Sequence, residues 1–152
     1  MSATDERVEI DRRRIMEMIP HRDPFLMIDS VTDIVSNSQA TGIKQVSPDE
    51  YYFKGHFPAR PVMPGVLIIE AMAQTAAVLV VHTLGPSWEG KLVYFMSVEE
   101  ARFLNPVFPG DELHVLVSKV YDRRNIWKFS GKAKVSGKPV ARAVFAAKIL
   151  DS

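Results

Sequence analysis

Between Val66 and Val81 the sequence reads "VLIIEAMAQTAAVLVV", sixteen residues in which only Glu70, Gln74 and Thr75 are polar. Pro64 suits the first helical turn, where its missing N–H has no helical partner to lose. Gly85-Pro86 supplies the stop. The segment between them predicts one helix of about 21 residues, about 31 Å long at the α-helical rise. Apolar residues occupy nearly every face, so such a helix must be wrapped by other structure. The run is short and polar for a bilayer span, and no membrane insertion is expected. A chain of 152 residues with one helix of this kind has to spend most of its remaining length on covering it.

The remainder has the pattern to do so. Asp11 reads as the cap of a short helix over Arg12–Met18. Leu26–Val35 and Ala40–Val46 read as a hairpin across "SNSQ". After the long helix, Leu92–Val98, Leu113–Tyr121, Ile126–Val135 and Val140–Leu150 read as strands. They are separated by turn chemistry in "NPVFPGDE", "DRRN" and "SGKP". "KFSGKAKV" alternates, as a half-buried antiparallel strand does. The expected fold class is α+β: a curved antiparallel sheet wrapped around one long central helix, the hot-dog architecture. The expected organisation is a flexible N-terminal tail over 1–10 and a single domain over 11–152. The net charge of +1 gives no global field for nucleic acid. With zero cysteines, disulfides and thiolate metal sites are excluded. The charged start "MSATDERVEIDRRR" does not read as a secretory signal, and a cytoplasmic location is expected.

The chemistry-bearing residues cluster around the start of the long helix. "GHFPARPVMPG", residues 55–65, places His56 in a loop stiffened by Pro58, Pro61 and Pro64. Histidine is the usual general base, and a rigid loop lowers the entropy cost of holding its ring in a productive pose. The same prolines also serve simply to route the chain into the helix. Glu70 lies one turn further on, among apolar neighbours. Burial disfavours its charged form, and a carboxyl that keeps its proton near neutral pH can act as a general acid. It equally suits a water-filled seam or a subunit contact. At the helix start, the Gly65 N–H has no helical acceptor and sits at the positive end of the helix dipole. There it fits an oxyanion, or an ordinary Pro-Gly helix start. Together the three suit removal of a proton α to a carbonyl with loss of a β-hydroxyl. His56 takes the proton, Glu70 protonates or positions the leaving water, and the Gly65 amide holds the oxygen. His21, His82 and His114 carry no comparable setting.

"YYFKGHFPARPVMPGVLIIEAMAQTAA" closely resembles the signature of the bacterial (3R)-hydroxyacyl-[acyl-carrier-protein] dehydratases of type II fatty acid synthesis. "ARFLNPVFPGDEL" and "IPHRDPFLMIDSV" resemble two further blocks of that family. The resemblance covers about residues 11 to 150. It implies elimination of water from a (3R)-hydroxyacyl chain to give a trans-2-enoyl chain in fatty acid elongation. The acyl chain is carried on the phosphopantetheine of acyl carrier protein, with no metal or redox cofactor. It implies a homodimer whose two sites each combine His56 of one chain with Glu70 of the other, and commonly a homohexamer, a trimer of dimers. By the same resemblance Phe57, Val62, Pro64, Tyr51, Tyr52 and Arg102 contact substrate. Tyr51 or Tyr52 gates the acyl tunnel, and Arg102 is the foremost of several basic residues for docking the acidic carrier. The related branch that also isomerises the double bond carries Asp at the position of Glu70 and Cys at that of Gly55, so this chain sorts with the dehydratase-only branch.

Two rival readings share the architecture. A thioesterase would redraw His56 and Glu70 around a water at the thioester and would release free thiol. A non-catalytic acyl-thioester sensor usually carries a DNA-binding helical domain, and the ten residues ahead of Asp11 are too few for one.

Overall fold

The computed structural model describes residues 8–150. The expected tail over residues 1–7 lies outside the described residues. Among the described residues Ile10, the last residue of the expected tail over 1–10, is buried and pairs with Val31. β1 (Ile10–Asp11) leads directly into α1 (Arg12–Met18), whose first turn is capped by the Asp11 carboxylate accepting the Arg14 N–H at 2.9 Å. α1 turns Ile15 and Met18 inward. β2 (Ser30–Val35) and β3 (Gln39–Gln45) form the hairpin. A 3-10 turn over Tyr51–Lys54 opens the proline-rich segment. α2 (Gly65–Leu84) follows, then a short 3-10 turn over Pro86–Trp88. β4 (Leu92–Phe103), β5 (Glu112–Arg123), β6 (Ile126–Val135) and β7 (Lys138–Leu150) complete the chain.

The seven strands form one antiparallel sheet in the order β1-β2-β3-β5-β6-β7-β4. α2 lies across its inner face, packed on β3, β5, β6 and β7, which is the expected hot-dog arrangement. Strand alternation builds the cradle: Leu113, Val115 and Val117 from β5, and Trp127, Phe129 and Ala133 from β6, all turn inward and are buried. Two glycines set how close the helix lies. A Cβ at Gly42 of β3 would collide with the Thr75 hydroxyl, and one at Gly131 of β6 would sit 2.6 Å from the Met72 sulfur. Larger residues there would hold α2 off the sheet. Gly85 ends α2 at φ 106°, a left-handed conformation that Gly adopts without a Cβ clash, and its N–H bonds the Val81 carbonyl. By length and composition alone α2 could cross a membrane, but 78% of its most apolar window is buried inside the sheet.

Three expectations are corrected. The strand expected from Leu26 begins only at Ser30. Leu26, Met27 and Ile28 are core residues at 3%, 0% and 0% exposure, but the Met27 N–H bonds a helix side chain instead of a neighbouring strand. An apolar run therefore marked burial and not a ladder. The strand expected to end at Val98 continues to Phe103, through register shifts between Phe95 and Ser97 and between Glu99 and Arg102. Pro64 is the N-cap of α2 and not part of its first turn.

Candidate active site

The loop before α2 is closed on itself. The Val62 N–H donates to the His56 carbonyl at 2.9 Å, and the Arg60 N–H donates to that of Phe57 at 3.0 Å. His56 Nδ1 lies 2.8 Å from the Val62 carbonyl oxygen. A carbonyl can only accept, so Nδ1 carries the ring proton and Nε2 is left as a bare lone pair. This is the tautomer a general base needs. The ring is half-buried and stacks on Phe57 at 4.2 Å, across a cis peptide bond. Val62, expected as a substrate contact, orients the His56 ring through its backbone. The loop is anchored at both ends. The His56 N–H donates to the Tyr52 carbonyl, and the Met63 N–H donates to that of Val107.

Further upstream, buried Lys44 bonds Glu50 at 3.0 Å, which fixes the approach to the 3-10 turn. Within that turn Tyr52 is buried and its hydroxyl has no hydrogen-bond partner among the described residues, while Tyr51 is half exposed. Burial raises the Tyr52 phenol well above the usual tyrosine range, so it stays neutral.

Glu70 projects from the second turn of α2 into a cavity of about 20 Å³ shared with His21, Ala73, Val93, Phe95 and Ala147. Burial pushes its carboxyl above the ordinary glutamate range, opposed by a 2.9 Å hydrogen bond from Gln74 Nε2. Gln74, one helical turn on, is fully buried and fully used. Its amide nitrogen also donates to the Phe25 carbonyl at 2.9 Å, and its amide oxygen accepts the Met27 N–H at 2.7 Å. Gln74 therefore locks α2 to the segment 25–27 and holds Glu70 in place. His21 Nε2 stands 3.5 Å from the same Glu70 oxygen. Sequence reasoning missed both partners. Gln74 read as an interruption of an apolar run and His21 as a lone histidine. The i, i+4 spacing of Glu70 and Gln74 on one helix face was the available signal.

At the start of α2, the Gly65 N–H makes no hydrogen bond among the described residues. It opens on an apolar depression of about 400 Å³ lined in part by Val62, Val66, Phe103 and Leu104. The Phe103 ring lies so close that a Cβ at Gly65 would sit 2.7 Å from it. Phe57, Val62 and Pro64 lie along the loop and helix start. Arg102 stands apart, on the outer face of β4 opposite Arg142. Among the described residues, no hydrogen bond or ion pair joins His56 to Glu70 within one chain. His56 is held on the outer loop, and Glu70 points toward β4.

The arrangement offers a histidine ring nitrogen, a carboxyl pushed above its ordinary range and an unpartnered N–H. The comparisons agree with that chemistry. The FabA-like domain model matches residues 19–144. The 3-hydroxyacyl-[acyl-carrier-protein] dehydratase FabZ of Paramagnetospirillum magneticum is 63% identical over 148 residues, covering 97% of this chain and 92% of that protein. The protein of the same name from Gluconacetobacter diazotrophicus is 63% identical over 141 residues, covering 93% of this chain and 88% of that one. Among solved structures, the dehydratase heterocomplex ApeI:P from Xenorhabdus doucetiae shares the fold with a TM-score of 0.76 at 17% identity, covering 91% of each chain. With the family model matching residues 19–144 and its sequence this close to theirs, the chain belongs to the 3-hydroxyacyl-[acyl-carrier-protein] dehydratase family of FabA-like proteins.

Proposed function

We infer that the chain is a hydro-lyase that removes water from a (3R)-hydroxyacyl group on acyl carrier protein and leaves the trans-2-enoyl thioester. The reading is carried by a His56 ring whose Nδ1 is held by the Val62 carbonyl and by the unpartnered N–H at the start of α2, with the carboxyl of Glu70 on the same helix pushed above its ordinary range by burial. His56 takes the C2 proton. The electron pair delocalises toward the thioester oxygen, which the Gly65 N–H and the helix dipole stabilise. The C2–C3 double bond then forms as the C3–O bond breaks, and Glu70 supplies the proton that turns the leaving hydroxyl into water. Return of the proton from His56 to Glu70 closes the cycle, with no cofactor or metal required. Phe57, Val62, Pro64 and the exposed Tyr51 line the approach of the acyl chain, with Tyr52 packed beneath.

The site is completed by a second copy. β4 is the last strand of the sheet, twelve residues long with one edge unpaired. It exposes Tyr94, Phe95, Met96, Val98 and Phe103. A long apolar edge of this kind calls for a covering strand. Val93 and Phe95 of that strand also wall the Glu70 cavity, so a symmetric partner on β4 lies next to the acid and is placed to offer its own His56. Assembly continues to a trimer of dimers, and the cysteine-free chain works in the cytoplasm.

Arg102, Arg142 and Lys132 form one row across β4, β7 and β6, and all are exposed. None of them forms an ion pair among the described residues, although Glu100 lines the same depression. Like charges directly opposite are destabilising, so the row suits an acidic partner such as acyl carrier protein. Arg142→Glu should raise KM for the carrier-bound substrate about tenfold and leave a free pantetheine thioester unaffected.

The experiment is enoyl-thioester hydration followed by absorbance. His56→Ala and Glu70→Gln should each lose about 10²- to 10⁴-fold in kcat. Mixed and reassociated, they should recover about one quarter of the wild-type rate, because half the dimers then hold one intact site out of two. No recovery places both groups in one chain. Thiol release without absorbance change replaces the dehydratase with a thioesterase.

A further inference from the structure

His21 is absent from the chemistry above, yet its ring faces the acid. Its Nε2 lies 3.5 Å from Glu70 Oε2, longer than a direct hydrogen bond. Catalytic contacts often have this slack before substrate binds. Its other nitrogen, Nδ1, is buried with no hydrogen-bond partner among the described residues. That asymmetry settles the tautomer. A buried N–H with no acceptor is rarer and more costly than a buried lone pair with no donor. The ring proton therefore belongs on Nε2, aimed at Glu70, and Nδ1 is the bare atom.

The second observation concerns the carboxyl. Gln74 Nε2 already donates to Oε2 at 2.9 Å, and His21 approaches that same oxygen. The Gln74 donor, with an Nε2–H of His21 approaching the same oxygen, favours Oε2 as the acceptor, so the acidic proton belongs on Oε1. We propose that His21 is a positioning residue: as the neutral Nε2–H tautomer, it joins Gln74 in holding the Glu70 proton on Oε1, the oxygen left free for the substrate hydroxyl. The inference rests on Glu70 being the acid.

The surroundings leave few other groups to set this proton. From α2 the cavity receives Glu70 and Ala73, from β4 Val93 and Phe95, and from β7 Ala147. Arg22 follows His21 in the chain and is tied to the carbonyls of Met16, Ile19 and His21 itself. In the proposed dimer the partner's His56 faces Glu70 from the other side. Burial, with Arg22 adding to it, holds His21 below the usual histidine range, which favours the neutral ring.

Two measurements test the proposal. Long-range ¹H–¹⁵N spectra of histidine-labelled wild-type enzyme read the tautomer directly, with no mutation and no turnover. A protonated Nε2 and a bare Nδ1 are expected for His21, and the reverse pattern overturns the proposal. The pH profile of enoyl-thioester hydration is then compared for His21→Leu and His21→Gln, with the Glu70 carboxyl followed by ¹³C shift. An N–H donor favours the carboxylate, so its loss in His21→Leu should move the Glu70 titration to higher pH. The same variant should lose about tenfold in kcat with KM within about twofold. His21→Gln keeps a donor and should stay near wild type in both. A titration that moves to lower pH, or a His21→Gln enzyme as slow as His21→Leu, overturns it. If wild type lacks hydratase activity the proposed function fails, while the ¹⁵N and ¹³C readings still decide how His21 and Glu70 share their protons.

Discussion

His56 and Glu70 are held in place by opposite means. The His56 loop is exposed and almost self-contained. Its ring is fixed by a carbonyl six residues away, and its backbone is closed by hydrogen bonds within residues 52–62. Glu70 has little local support. It stands on a buried helix, and its orientation depends on Gln74, which depends on Phe25 and Met27 nearly fifty residues earlier. In the proposed roles, a base that must be reached by a moving acyl chain gains from a stiff loop at the surface. An acid that must keep its proton gains from depth, and depth is supplied by distant parts of the chain.

The sharpest test of this contrast is the stability of Glu70→Gln. While it loses activity by orders of magnitude, it should gain stability at high pH. The folded-state carboxyl titrates above its unfolded value. Its contribution to stability is therefore fully present below the ordinary glutamate pKa of about 4.3 and is lost as pH rises through the raised folded value. Thermal unfolding of wild type should weaken across that window. Glu70→Gln should lack this component, and an unchanged slope would place Glu70 in solvent.

Next in size is Glu50→Gln, which leaves the buried Lys44 ammonium without its carboxylate and should cost about 2–3 kcal/mol in denaturant unfolding. Lys44→Met should cost less, because Glu50 is the more exposed partner. Gln74→Leu should cost about 2 kcal/mol, since it strands the Met27 N–H and the Phe25 carbonyl. It should also slow turnover by freeing Glu70, so stability and rate fall together. Pro61→Gly gives the smallest change, about 1 kcal/mol through the unfolded chain. There the rate should fall out of proportion to stability, because the loop alone is loosened. Equal proportions in these last two variants would erase the distinction between a locally held base and a tertiary-held acid.

The ease of reading each half from sequence follows the same line. Prolines, glycines and a histidine within eleven residues announce a rigid loop, because φ restriction and turn chemistry act over short range. The Val62 carbonyl that selects the His56 tautomer was not legible, since every residue carries a carbonyl and only the fold shows where one points. The start of β2 was misplaced because apolar content reports burial and is silent on which backbone groups pair.

The sequence by itself determined one all-apolar helix, the strands that must wrap it, the loop that carries His56 and the presence of a lone acid on the helix. Those follow from periodicity, chain-breaking residues and the cost of exposing apolar surface, all local or compositional. Tertiary structure decided the rest. It set Gln74 and His21 around Glu70, left Nδ1 of His21 bare, put Gly42 and Gly131 under the helix, and left β4 as the open edge. Each of these depends on atoms brought together from far along the chain, and the pairing of a buried polar group is settled only when its neighbours arrive.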